Sequence, residues 1–265
     1  MKRYILIAIG MALLAFNSTA QAEESADSIM NKAHLASYYA ANDGKAGVHM
    51  EIINPDGATR VREFTILRKD IEDGGDQLFY IYFKKPNDVR DMTFLVKKHP
   101  DRDDDRWLFI PSIRMVKRIA ASDARAAFVG SDYTYEDISG RHPSNDNAEL
   151  LGEEELDGRK TWVVKNTPKE ELDDYSWRKT WVDQETHLVL KESYFDEEKA
   201  EVRRFTTDEY KQINGFWVGI AGTMENFELE HKTTVRFSDV KLNVGVPDKV
   251  FTERSLKSAP KKWIK

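Results

Sequence analysis

The 265-residue chain has a formal net charge of −6, no cysteine, six tryptophans and 11% aromatic residues. An acidic balance argues against nucleic acid, whose phosphates require a basic face, and against a general attraction to anionic lipid surfaces. The lack of cysteine excludes disulfides, thiolate metal sites and lipidation through an N-terminal cysteine.

Lys2 and Arg3 precede an apolar run, Tyr4 to Phe16, and then Ala20-Gln21-Ala22. The run is too short to span a bilayer and the A-x-A pattern is a cleavage signal, so residues 1–22 read as a removed signal peptide. Losing Lys2 and Arg3 with it takes the net charge from −6 to −8. The rest, with no other run near ~18 apolar residues, is expected to be one domain over residues 23–257 followed by a mobile basic tail, residues 258–265.

From Ser25 a capped helix is expected, with Ile29, Ala33, Ala36 and Ala40 on one face and Gly44 and Gly47 ending it. The period then changes to two. Val48–Ile53 stops at the turn Asn54-Pro-Asp-Gly57, and Arg60–Arg68 stops at Asp73-Gly-Gly75. Leu78–Lys85 is apolar or aromatic on both faces for six residues, which predicts a strand covered on both sides. Asp91–Lys98 and a solvated loop, HPDRDDDR, lead into Arg106–Ser139. There Trp107–Ile110 runs to Pro111, which cannot donate to a ladder. A basic-apolar strand follows, then a small-residue loop, then aromatics and acids around Gly130. In the second half, hairpins turn at Asp157-Gly158, Asp183–Thr186 and Asn214-Gly215, and His231–Leu242 is the last strand. Short turns permit only antiparallel neighbours, about eleven to thirteen of them. Val250, Phe251, Arg254 and Leu256 suggest a closing helical turn.

FIPSIRMVKRI followed by FVGSDYTYEDIS resembles the outer-membrane lipoprotein-sorting protein family, a LolA-like group of the lipoprotein-carrier superfamily. The shared pattern is a Pro-broken strand, a basic-apolar strand and Phe-x-Gly-Ser/Thr-Asp-aromatic-x-Tyr-Glu-Asp. The resemblance spans about Ser25 to Leu256. It implies a periplasmic, non-enzymatic, open antiparallel β-barrel with short helices across its mouth. It further implies a lipid or lipoprotein acyl chain as cargo, and an inner-membrane exporter of the resistance-nodulation-division type as a partner. A monomer is expected.

Eight strands suffice for a barrel that its own side chains fill. More strands must flatten into a sandwich, hold a plug or enclose a ligand. The candidate cavity-lining residues are Trp107, Phe109, Met115, Phe128, Tyr133, Tyr135, Trp162, Trp177, Trp181 and Trp217, with Trp107/Phe109 and Trp177/Trp181 sharing faces. Equally, these residues can fill a sandwich core. A membrane barrel is disfavoured because Glu201-Val-Arg-Arg-Phe and Leu190-Lys-Glu-Ser-Tyr put ions on both strand faces, at ~2–4 kcal/mol for each lipid-facing cation at the midplane.

No G-x-S-x-G, H-E-x-x-H or P-loop occurs, and the six histidines never pair at ligand spacing. Asp101, Asp103 and Asp105 alternate like a calcium loop, but Arg106 stands where glycine is needed. No catalytic residue, cofactor or metal is assigned. Arg114 and Arg118 are expected to pair with acids such as Asp132 or Asp137, or else to act as a polar clamp on a ligand headgroup. Two further roles suit the same fold: a sensor that signals lipid or misfolded protein to a membrane partner, and an assembly module with no small ligand.

Overall fold

The computed structural model describes residues 24–264; the expected signal peptide lies outside them. The first helix, α1 (Ala26–Tyr38), is capped by the Ser25 hydroxyl, which accepts from Ser28 N at 3.2 Å. It ends at Tyr38, earlier than the glycines suggest. Gly44 and Gly47 instead belong to β1 (Asp43–Ile53).

Five more strands follow: β2 (Thr59–Asp70), β3 (Gln77–Lys85), β4 (Thr93–Lys98), β5 (Asp105–Ile110) and β6 (Met115–Ile119). After a connecting stretch, 120–145, that carries α2 (Tyr135–Ser139), the second half supplies β7 (Asp146–Leu156), β8 (Arg159–Pro168), β9 (Trp177–Asp183) and β10 (Val189–Phe195). The chain ends with β11 (Glu201–Ile213), β12 (Phe216–Asn226), β13 (His231–Leu242), α3 (Glu253–Lys257) and α4 (Lys261–Ile264). Two of the expected turns, Asp157-Gly158 and Asn214-Gly215, have positive φ at both residues (49° and 78°; 51° and 87°), the two-residue hairpin geometry.

All thirteen strands form one antiparallel sheet in the order β6-β5-β4-β3-β2-β1-β13-β12-β11-β10-β9-β8-β7. The first strand of the first half meets the last strand of the second at β1–β13, and β6 and β7 are left as the two edges. The sheet is thus an open β-barrel with few short helices, as expected. Residues 120–145 run from one edge to the other and fold over the inner face.

Alternation sorts β3 between the faces. Phe79, Ile81 and Phe83 point inward, where they pack with Phe64, Phe94, Phe128 and Tyr135. Tyr80 points outward into a cluster with Leu67, Leu95, Val250, Phe251 and Leu256. The C-terminal helices seal this outer cluster: Tyr80 Oη donates to Ser255 O at 2.7 Å and Thr93 Oγ1 to Leu256 O at 2.8 Å. The basic tail is not loose. Ile264 is buried in the same cluster with Trp263 against it, and Ile264 O accepts from Thr65 Oγ1 at 3.2 Å.

Candidate functional site

The inner face is only partly filled. Over β2–β4 the aromatic rings of the connecting stretch pack solidly: Phe128 lies 5.8 Å from Phe83, 5.5 Å from Phe94 and 5.7 Å from Tyr135, centroid to centroid. Over the middle of the sheet a cavity of about 390 Å³ remains, within the roughly 300–1,000 Å³ typical of small-molecule sites. Val48 and Met50 of β1, Ile66 of β2, Met224 of β12 and Val235 of β13 form its floor. Ala33 and Tyr38 of α1 and Tyr133 and Ile138 of the connecting stretch form its roof.

Short side chains keep the floor low. Gly219, Ala221 and Gly222 lie together on β12. A Cβ at Gly222 would come within 2.9 Å of the Phe205 ring and 3.1 Å of Thr206 O, so only glycine lets Phe205 lie across the strand.

The roof is held by sequence-local chemistry. Thr134 and Asp137 make a capping box at α2: Thr134 Oγ1 accepts from Asp137 N at 3.1 Å, and Thr134 N donates to Asp137 Oδ2 at 2.7 Å. Asp132 anchors the stretch to β13, taking a 2.5 Å hydrogen bond from Thr233 Oγ1. Lys98 Nζ donates to the carbonyls of Ser139 and Gly140 behind α2. Burial lowers the pKa of Lys98 to about 8.

One end of the cavity is ionic. Arg125 bridges Glu136 and Asp174, and Arg141 bridges Glu136 and Asp146. Arg178 Nη2 donates to Asp146 at 2.8 Å, and Arg203 donates to Asp137 at 3.2 Å. His34 of α1 lies among these groups. Burial, with help from Lys98, His142 and Arg178, pushes its pKa down to about 2, so its ring is neutral.

Tyr133 and Trp217 are the two sequence candidates that line the cavity. The others stand elsewhere, each for a physical reason. Trp107 and Phe109 face outward against the C-terminal cluster, and Met115 is 45% exposed on edge strand β6. Phe128 and Tyr135 are spent on the solid packing over β2–β4. Trp162 packs under α1 beside Val164 and Val182. Trp177 and Trp181 do share a face, but it is the outer one: Arg178 between them points to the cavity, while Lys179 and Lys191 each lie 4.5 Å from the Trp181 ring. Arg114 is exposed at a left-handed turn, φ 51°. Arg118 is exposed and pairs with Asp105 rather than Asp132 or Asp137. Neither arginine lines the cavity.

The residues that build the cavity were hidden in the sequence. Met50, Met224 and Val235 read as ordinary strand positions. One usable signal is the run of small residues on β12, which opens space only if that face is the inner one.

A family model described as "-like: Uncharacterized protein" matches residues 75–258, well over half of the chain. No curated protein matches it significantly. Among solved structures, a DUF1329 family protein from Desulfovibrio piger superposes with a TM-score of 0.79 at 27% identity, covering 86% of this chain and 97% of that one. A putative outer membrane lipoprotein-sorting protein domain from Vibrio parahaemolyticus gives 0.79 at 24% identity, over 87% and 97%. A LolA superfamily protein from Nitrosomonas europaea gives 0.68 at 20% identity, over 88% and 99%. At such identities the last two likenesses speak for the fold alone.

Proposed function

From the premise that this chain belongs to the family whose model covers residues 75–258 and has the open sheet of the LolA-like structures, we propose that it is a periplasmic, non-enzymatic carrier for a hydrophobic ligand. The carrying observation is the apolar cavity of about 390 Å³ between the inner face of the sheet, α1 and the connecting stretch. The ligand is a lipid or the acyl chains of a lipoprotein, taken up at the inner membrane and delivered toward the outer one. An inner-membrane exporter of the resistance-nodulation-division type is the proposed donor, and the carrier works as a monomer.

The physical need for such a protein is one of magnitude. An acyl chain gains about 0.8 kcal/mol per buried CH₂, so a 16-carbon chain resists water by ~12 kcal/mol. A covered cavity removes that barrier, and its floor of Val, Ile and Met gives the chain an apolar bed, with the polar groups gathered at one end. Tyr133 and Trp217 are the ring contacts proposed for the chain.

The test is extraction and mass spectrometry of whatever accompanies the protein purified from cell envelopes. Acyl lipid should be recovered from the unaltered protein. It should be lost from Ala46→Trp and Ala221→Trp, whose new rings fill the cavity, while circular dichroism stays that of the parent. Lipid-free parent protein that also fails to take up an added lipid would end the carrier reading.

A further inference from the structure

The ionic end of the cavity carries three polar atoms that the protein itself does not use. His34 Nε2, Tyr175 Oη and Arg178 Nε are buried and make no hydrogen bond to any described residue. Their side chains line one cavity, and the residues are only 8%, 3% and 7% exposed. Arg178 Nε stands 3.6 Å from Glu192 Oε1, an electrostatic contact longer than a hydrogen bond. Buried polar groups are nearly always paired, because an unpaired one forfeits its hydration for nothing. Three such atoms on side chains that line one cavity call for a shared partner.

We infer that this wall is a subsite for the uncharged carbonyl head of an acyl lipid, an ester or an amide, whose tail lies over β1, β12 and β13. The inference rests on the carrier reading and names the chemistry of the cargo within it. A tyrosine hydroxyl and an arginine Nε both donate, and Nε2 of the neutral His34 ring donates in the tautomer that carries its proton there. A carbonyl oxygen offers two lone pairs and no charge, which suits such a wall.

The charges nearby argue against an anionic head. Each guanidinium at this end already faces carboxylates: Arg125 and Arg141 share Glu136, Arg141 and Arg178 share Asp146, and Arg203 holds Asp137. With Asp174 on Arg125 and Glu192 beside Arg178, five carboxylates oppose four guanidiniums and the buried Lys98 ammonium, which already serves the carbonyls of Ser139 and Gly140. A free fatty carboxylate or a phosphate would add like charge to a buried, already compensated network. A plain hydrocarbon would leave all three atoms unpaired.

The test compares three probes of the same chain length, each displacing a naphthylamine dye from the delipidated full-length mature protein at pH 8. They are monoolein (ester), oleate (carboxylate) and octadecene (no head). Monoolein should displace the dye at roughly tenfold lower concentration than either of the others, as a gain of one or two buried hydrogen bonds requires. In Tyr175→Phe, and more so in Tyr175→Phe with His34→Phe, that advantage should fall to about threefold or less while octadecene is unaffected. Both variants should keep the parent's melting temperature, since Tyr175 Oη and His34 Nε2 have no protein partner and a phenyl ring keeps the contacts with Tyr38 and Tyr39, and Tyr175→Phe alone suffices should the double variant not fold. Oleate binding as tightly as monoolein, or a monoolein preference that survives both substitutions, would overturn the subsite. Equal displacement by all three probes would sink the subsite and spare the carrier; displacement by none would sink both.

Discussion

Asp183 closes the turn between β9 and β10 by accepting five hydrogen bonds, two from Arg159 (2.7 and 2.8 Å), one from Glu185 N (3.0 Å) and two from Thr186 (2.7 and 2.9 Å). Burial alone would raise its pKa, but these donors prevail and hold it at about 2. A carboxylate lowered in the folded state stabilises fully above its unfolded value, ~3.9, and ceases to as pH falls through the folded one. Asp183→Asn should therefore cost about 2 kcal/mol near neutrality, since hydrogen bonds to a charged group are involved. The gap to the parent should shrink between pH 4 and 2, as followed by urea unfolding. A gap that stays constant over that range would mean that the charge is irrelevant. At this scale the sequence was legible in pairing but not in direction. Trp177 and Trp181 do lie on one face, as period two requires, yet period two carries no sign. Only the packing of α1 against Val164 and Val182 decides which face is inner. Tyr175, in the loop before β9, had no pattern at all to mark it.

At the scale of elements, α1 and α2 meet at a single tight point. Gly140, which ends α2, has φ 77°, and a Cβ there would sit 2.4 Å from the Tyr38 ring of α1. Gly140→Ala combines a strained backbone with a collision against the half-buried Tyr38 ring. It should cost on the order of 2 kcal/mol, and faster amide exchange should appear in α1 and α2 while β1–β4 remain protected. Unchanged exchange in both helices would show that the roof does not depend on this contact. Hairpins were the most readable elements, because Asp-Gly and Asn-Gly specify the turn by their backbone preferences alone. The helix end was misjudged for the opposite reason. Glycine marks a stop only where the chain needs a left-handed residue, and Gly47 instead makes room for Ser238, whose Oγ would lie 2.7 Å from a Cβ there.

For the whole molecule, strand number and antiparallel order followed from turn spacing, whereas the strand number left a sandwich, a plug or a ligand cavity open and only the family resemblance implied the open sheet. What could not be read was how the spare volume is shared out. The connecting stretch fills the β2–β4 side with Phe128 and Tyr135 and leaves the middle free, a division set by contacts between residues far apart in the chain, such as Phe128 with Phe64 and Tyr135 with Phe94. The outer face poses the same problem at the C-terminus. Four residues of α4 are too short for any periodicity to register, so the tail reads as loose although Trp263 and Ile264 complete the cover over Leu67, Tyr80 and Leu95. Ending the chain at Ser258 should remove about 3 kcal/mol of apolar burial and lower the melting temperature by roughly 6–12 °C, with aggregation as the outer cluster is bared. A truncated chain that melts with the parent would mean that the tail's packing carries no weight.

The stretch from 120 to 145 is both the ceiling of the hollow and the belt that joins the two free margins of the sheet. In the proposed carrier, any guest stout enough to widen the sheet would draw those margins apart and load the belt, whose holds on the strands are Asp132 on Thr233 and Asp137 on Arg203.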